Sequence, residues 1–225
     1  MPRASLDNEI SQLKNEVLIL GSMVEQSMLS AVAALKTGDL VSAQTIYHSD
    51  REINDKRYAL ENAIIILIAT QQPMAHDLRT LAAILEVAGE LERMGDYAKG
   101  ICKIMLKLGV VKPPIDISDI EKMANKATDM LHRALDAFIN EDAKLAYAIP
   151  IEDDEVDALY TKVYEALVSA MTHDTTMIGQ TTRYLWVAHN LERMADRVTN
   201  ICERTVFIAT GDLMEIDASD DEELT

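Results

Sequence analysis

Two acidic pairs in this sequence share one setting. Leu91-Glu92-Arg93-Met94-Gly95-Asp96 recurs 100 residues later as Leu191-Glu192-Arg193-Met194-Ala195-Asp196. Each copy sets two carboxylates four residues apart, one turn of a helix. Like charges so placed repel by about 0.2–0.5 kcal/mol. A hard cation removes that cost, and oxygen-rich sites suit magnesium, manganese, calcium or iron. Asp153 and Asp157 repeat the spacing. Their echo earlier in the chain is Asp50 with Asn54, where an amide replaces one carboxylate. A site using Asp50 and Asn54 is therefore expected to be weaker or smaller. The plainer reading is a solvated acidic face, with Arg93, Arg193 and Arg197 as neutralising neighbours.

The elements that must carry these pairs are helices. Ile10, Leu13, Val17, Leu20, Val24, Met28, Ala31 and Leu35 recur at three and four, the helical period. They predict a first helix over 6–36. Gly38 reads as its stop and Asp39 as the N-cap of a second helix over 40–70. Gln71-Gln72-Pro73 breaks that helix, and a third is expected from about Pro73 to Leu108. Lys112-Pro113-Pro114 makes a firm break. Ser118 with Glu121 reads as a capping box opening a fourth helix that ends near Asn140. A fifth spans 142–172, with a kink or a fresh start at Pro150. The sixth runs over 177–210 to Gly211. Its seam is Val187, Leu191, Met194, Val198, Ile201 and Ile208, with Glu192, Asp196, Asn200 and Glu203 as an acidic and amide stripe beside it.

The repeat organises the whole. Ile101-Cys102 recurs as Ile201-Cys202, and Asp50–Asn54 precedes the first acidic pair as Asp153–Asp157 precedes the second. The reading is all-α: six helices in two tandem three-helix bundles, related by a pseudo-two-fold. The first covers 1–112 and the second 113–211. From Asp212 the chain is acidic, with Asp217, Asp220, Asp221, Glu222 and Glu223 and no base, and is expected to be a disordered tail.

Composition narrows the function. A net charge of −17 disfavours nucleic acid and anionic membrane surfaces as partners and favours cations or basic protein patches. The start has no signal-peptide core. The longest apolar run, Ala63 to Ala69, falls far short of the roughly 20 residues that span a bilayer. A cytoplasmic protein with no membrane insertion is the expectation. Cys102 and Cys202 read as small buried hydrophobes. His48, His76, His132, His173 and His189 are scattered, and none lies in the Glu-x-x-His pairing of di-iron bundles. No nucleophile constellation or glycine-rich phosphate loop stands out.

Gln72-Pro73-Met74-Ala75-His76-Asp77-Leu78-Arg79, the two Leu-Glu-Arg-Met segments and Asn200-Ile201-Cys202-Glu203 resemble the PhoU family of phosphate-uptake regulators. The likeness runs in order over nearly the whole chain, about 6–211. It implies two three-helix bundles and a homodimer. It implies divalent or trivalent metal ions (iron, zinc, magnesium or manganese) on Glu92, Asp96, Glu192, Asp196, Asp153, Asp157, Asp50 and, imperfectly, Asn54. It implies a non-enzymatic adaptor between the ATPase subunit of the phosphate ABC transporter and the sensor histidine kinase, acting as a negative regulator when phosphate is ample. Asn54 departs from the family signature, and Ala195 tightens the space that Gly95 leaves beside Asp96. A silent helical scaffold and a carboxylate-bridged metalloenzyme are the competing readings.

Overall fold

The computed structural model describes residues 3–216. Among the described residues there are seven α-helices: α1 (Arg3–Thr37), α2 (Leu40–Gln71), α3 (His76–Leu108), α4 (Ser118–Asn140), α5 (Ala143–Ala148), α6 (Asp153–His173) and α7 (Ile178–Thr210). The six-helix plan holds, with its fifth member divided. Pro150 opens a 3₁₀ turn, Pro150–Glu152, between α5 and α6. Proline cannot donate the backbone bond that a continuous helix needs at that point. Arg133 clamps the bend: its Nη1 and Nη2 donate to Glu152 Oε1 and Oε2, each at 2.7 Å. That fork holds the Glu152 carboxyl down at a pKa of about 2. It also fixes where Asp153, the next residue, enters α6.

The caps follow the sequence at some ends and not at others. Asp39 accepts from the backbone N–H of Val41 and Ser42, as expected of the α2 N-cap. Gly38, Gly109 and Gly211 all take positive φ at the ends of helices. Ser118 does not form a capping box with Glu121. Asp116 accepts from the Ser118 backbone N–H and hydroxyl instead, and Glu121 pairs with Lys36 at 2.8 Å. Likewise α3 starts at His76 rather than Pro73, after Ala75 turns at φ +46°.

Burial matches the helical period closely. All eight seam residues expected on α1 are buried, and so are the six on α7. Burying each large aliphatic contributes about 1.5–3 kcal/mol, which is why these long helices need no special propensity. Cys102 and Cys202 are fully buried. Burial pushes both thiols up to about 12.

α1, α2 and α3 pack together as one bundle, and α4, α6 and α7 as the other. The halves meet through α3 on α7 and α1 on α4, the pairs of elements that are each other's counterparts in the repeat. Glu86 pairs with Arg204, Glu90 with Arg197, and Gly100 faces Asn190, so α3 and α7 run antiparallel. This is the arrangement that a pseudo-two-fold through the seam requires. At the other crossing, a Cβ on Gly21 of α1 would stand 2.2 Å from Leu135 Cδ1 of α4. Glycine there lets the two helices approach.

Among the described residues one helix, over Ser5–Thr37, is long and apolar enough by composition to cross a bilayer. In the fold it is a bundle helix, with Val17, Leu20, Val24, Met28 and Ala31 fully buried. After α7 the segment 212–216 folds back: Tyr147 Oη donates to Met214 Sδ, and the Ile216 N–H to Glu203 Oε1. The acidic residues from Asp217 on lie outside the described residues.

Candidate functional site

The fold brings the acidic pairs together half by half. In the first half, Asp50 on α2 faces the α3 stripe of Glu92, Asp96 and Lys99. Asp50 is 3% exposed. Its Oδ2 accepts from Lys99 Nζ at 2.6 Å and from Asn54 Nδ2 at 3.0 Å, while its Oδ1 accepts no hydrogen bond. Lys99 also reaches Asp96 Oδ1 at 3.6 Å. Glu92 is pushed above the usual carboxylate range by burial first, and then by the Asp96 and Asp50 charges; Arg57 and Arg93 oppose the shift. The Lys99 ammonium therefore already supplies positive charge between Asp50 and Asp96.

The second half has the same frame and different contents. Asp153 on α6 is 6% exposed, and its Oδ1 is buried without a hydrogen-bond partner, as Asp50 Oδ1 is. Burial pushes its carboxyl up to about 7, helped by Asp157, Asp196, Glu192 and Asp154. All four neighbours are acids. The residue 100 positions after Lys99 is Thr199, whose hydroxyl is buried without a hydrogen-bond partner. A buried carboxylate with acids for neighbours favours a bound cation.

The neutralising arginines are only partly where the sequence suggested. Arg193 takes Asp196, Nη1 to Oδ2 at 2.7 Å. Arg93 turns to Glu90, and Arg197 reaches across the seam to the same glutamate at 3.2 Å. His189 Nδ1 lies 3.1 Å from Glu192 Oε2, beside the acids rather than apart from them. Among the described residues, no three acid, histidine or cysteine side chains form a ready cage.

Fit to a metal thus differs between the halves. Asp153, Asp157, Glu192 and Asp196 suit a hard cation by donor type and by the partnerless oxygen at Asp153. Asp50, Asn54, Glu92 and Asp96 suit it poorly, because Lys99 is in place. The tightening anticipated at Ala195 is offset in part. A Cβ at Gly95 would lie 3.1 Å from Ile53, and the position matching Ile53 is Val156, one methylene smaller. Sequence reasoning missed Lys99; setting the two repeats side by side at the 100-residue offset exposes it.

The comparisons agree with this frame. The family description "PhoU domain" matches residues 17–105 and again 120–205. A phosphate-specific transport system accessory protein PhoU homolog of Clostridium acetobutylicum is 35% identical over 217 residues, covering 96% of this chain and 99% of that protein. The accessory protein PhoU of Escherichia coli (strain K12) is 33% identical over 204 residues, covering 90% and 84%. The crystal structure of the phosphate transport system regulatory protein PhoU from Streptococcus pneumoniae superposes with a TM-score of 0.85 at 32% identity, covering 93% and 99%. PhoU from Pseudomonas aeruginosa gives 0.86 at 28% identity, covering 92% and 99%.

Proposed function

This chain belongs to the PhoU family of phosphate-specific transport accessory proteins, and from that premise we propose a cytoplasmic adaptor that restrains phosphate uptake and starvation signalling. Its role in regulating phosphate transport follows from the family. The finer reading is ours: the chain docks on the ATPase subunit of the phosphate transporter and on the sensor histidine kinase, works as a homodimer, and performs no turnover itself. Two observations support this. The strongly acidic chain suits basic partner patches. Tyr58, Ile65 and Ile66 leave an exposed apolar ridge on α2 that suits a second copy.

The observation that carries the metal reading is the asymmetry between the halves. We place a divalent or trivalent cation on Asp153, Asp157, Glu192 and Asp196. Bound there, it supplies positive charge that ties α6 to α7. In the first half Lys99 does that work, tying α2 to α3. The second bundle is then stiff only when its cation is present, and docking depends on it.

The test is a pull-down with the intact chain from phosphate-replete cells, with and without chelator, alongside elemental analysis. Recovery of the transporter ATPase or the sensor kinase, reduced by chelator, is the expected result. Capture of both partners undiminished by chelator, with no metal in the purified protein, removes the cation from the reading. Capture of neither removes the adaptor.

A further inference from the structure

The α3–α7 seam has two ends, and the pseudo-two-fold would make them equivalent. They are not. At one end Glu86 pairs with Arg204, and Glu90 accepts from Arg197 and from Asn200 Nδ2 at 3.2 Å. The matching positions at the other end, offset by 100, are Trp186 for Glu86, Ile104 for Arg204, Asn190 for Glu90 and Gly100 for Asn200. Where one end is filled by ion pairs, the other opens into a cavity of about 550 Å³. That size suits a small-molecule ligand.

The contents of this cavity run in order along the antiparallel helices. Gly100 and Asn190 stand at the inner end, Lys103 and Trp186 in the middle, and Lys107 and Arg183 outermost. Lys107 lies seven positions after Gly100 on α3, a rise of about 10 Å at 1.5 Å per residue. Asn190 is 8% exposed and has no hydrogen-bond partner among the described residues, yet it lines the cavity. Trp186, the chain's one tryptophan, is 60% exposed. Lys103, Lys107 and Arg183 are exposed and form no ion pair among the described residues. The one acid on the rim, Asp96, faces Lys99. In a chain with a charge of −17, three uncommitted cations beside Trp186 and Tyr97, whose hydroxyl accepts from Arg197, are a local reversal of sign.

We propose that this open end of the seam binds a nucleotide: the base stacks on Trp186 with its edge at the Asn190 amide, and the phosphates lie among Lys103, Lys107 and Arg183. An amide supplies both a donor and an acceptor to a base edge, and an aromatic face stacks on any base. Arginine and lysine meet phosphate oxygens. Trp186 packs edge-on against His189, which pairs with Glu192, so the pocket adjoins the second-half acids, but it requires no cation there.

The test uses the full chain in excess chelator, so that metal plays no part. ADP, adenosine, inorganic phosphate and a synthetic acidic peptide are each titrated while Trp186 fluorescence is read, and calorimetry is run in parallel. Saturable binding of ADP, with adenosine and phosphate each at least about tenfold weaker, is the expected result. Arg183→Gln and Lys107→Gln should each weaken ADP by about fivefold or more and leave adenosine unchanged. Gly100→Ala, whose Cβ would lie 3.0 Å from Asn190 Nδ2, should weaken ADP and adenosine alike. Thermal melts confirm that each variant folds. No saturable ADP binding at millimolar concentration overturns the proposal. So does unchanged ADP affinity in all three variants, or a response to the acidic peptide in place of ADP.

Discussion

Lys99 Nζ lies 2.6 Å from Asp50 Oδ2, a bond from α3 to α2 that the second half of the molecule does not repeat. Its counterpart Thr199 carries no charge. Exchanging the two residues therefore exchanges the properties of the halves. Lys99→Thr should destabilise the metal-free protein by about 1–3 kcal/mol, a range discounted because Lys99 is one-third exposed. Added divalent ions should then recover part of the loss. Thr199→Lys should do the reverse: raise the melting temperature in chelator and abolish any rise on adding metal. Melts with and without metal read both outcomes. Equal metal responses in the two variants would contradict the assignment.

Asp153 sets a slope of stability against pH in the metal-free protein. Its folded pKa of about 7 stands above the 3.8 of a free aspartate. The folded state therefore holds a proton that the unfolded state has lost, and stability falls as pH rises from about 4 to about 7. Asp153→Asn removes this dependence on pH. The variant should melt several degrees higher than the parent at pH 8 and show little gain at pH 5. A gain of the same size at both pH values would mean that Asp153 does not titrate as described.

The α1–α4 crossing depends on Gly21. Alanine there would put a Cβ 2.2 Å from Leu135 Cδ1, a side chain 2% exposed with little room to move. Gly21→Ala should cost about 1–3 kcal/mol through overpacking, less the small helix-propensity gain of alanine. Urea denaturation measures it. Gly21→Ala with Leu135→Ala should recover part of the loss of fit.

Both cysteines should be inert. Each is fully buried with its pKa near 12, so almost no thiolate exists at pH 7.5. A thiol reagent should label neither in the native protein and both in denaturant. Fast labelling of Cys202 under native conditions would show that α7 opens.

The seams of α1 and α7 were fully legible in the sequence, because burial there depends only on the 3.6-residue period. The Asp39 cap was legible too, since its partners lie two and three residues away. The Ser118 cap misled because Asp116, just upstream, competes for the same donors, and local pattern does not rank the two. The start of α3 misled because Ala75 adopts a positive φ that its side chain does not announce. Within the site, the acids and their spacing were visible. Their neutralisation was not, because Asp50 and Lys99 are 49 residues apart and meet only through packing of α2 on α3. The exposed Trp186 was hidden for a related reason: its helix pattern is ordinary, and only the unequal ends of the α3–α7 seam leave it exposed.

Since each half touches the other through helices that are their own counterparts, the peptide link across 109–117 is a tether rather than a girder. Cut there, the two fragments should still find one another when mixed. Either fragment alone would offer its bare flank to any copy of itself.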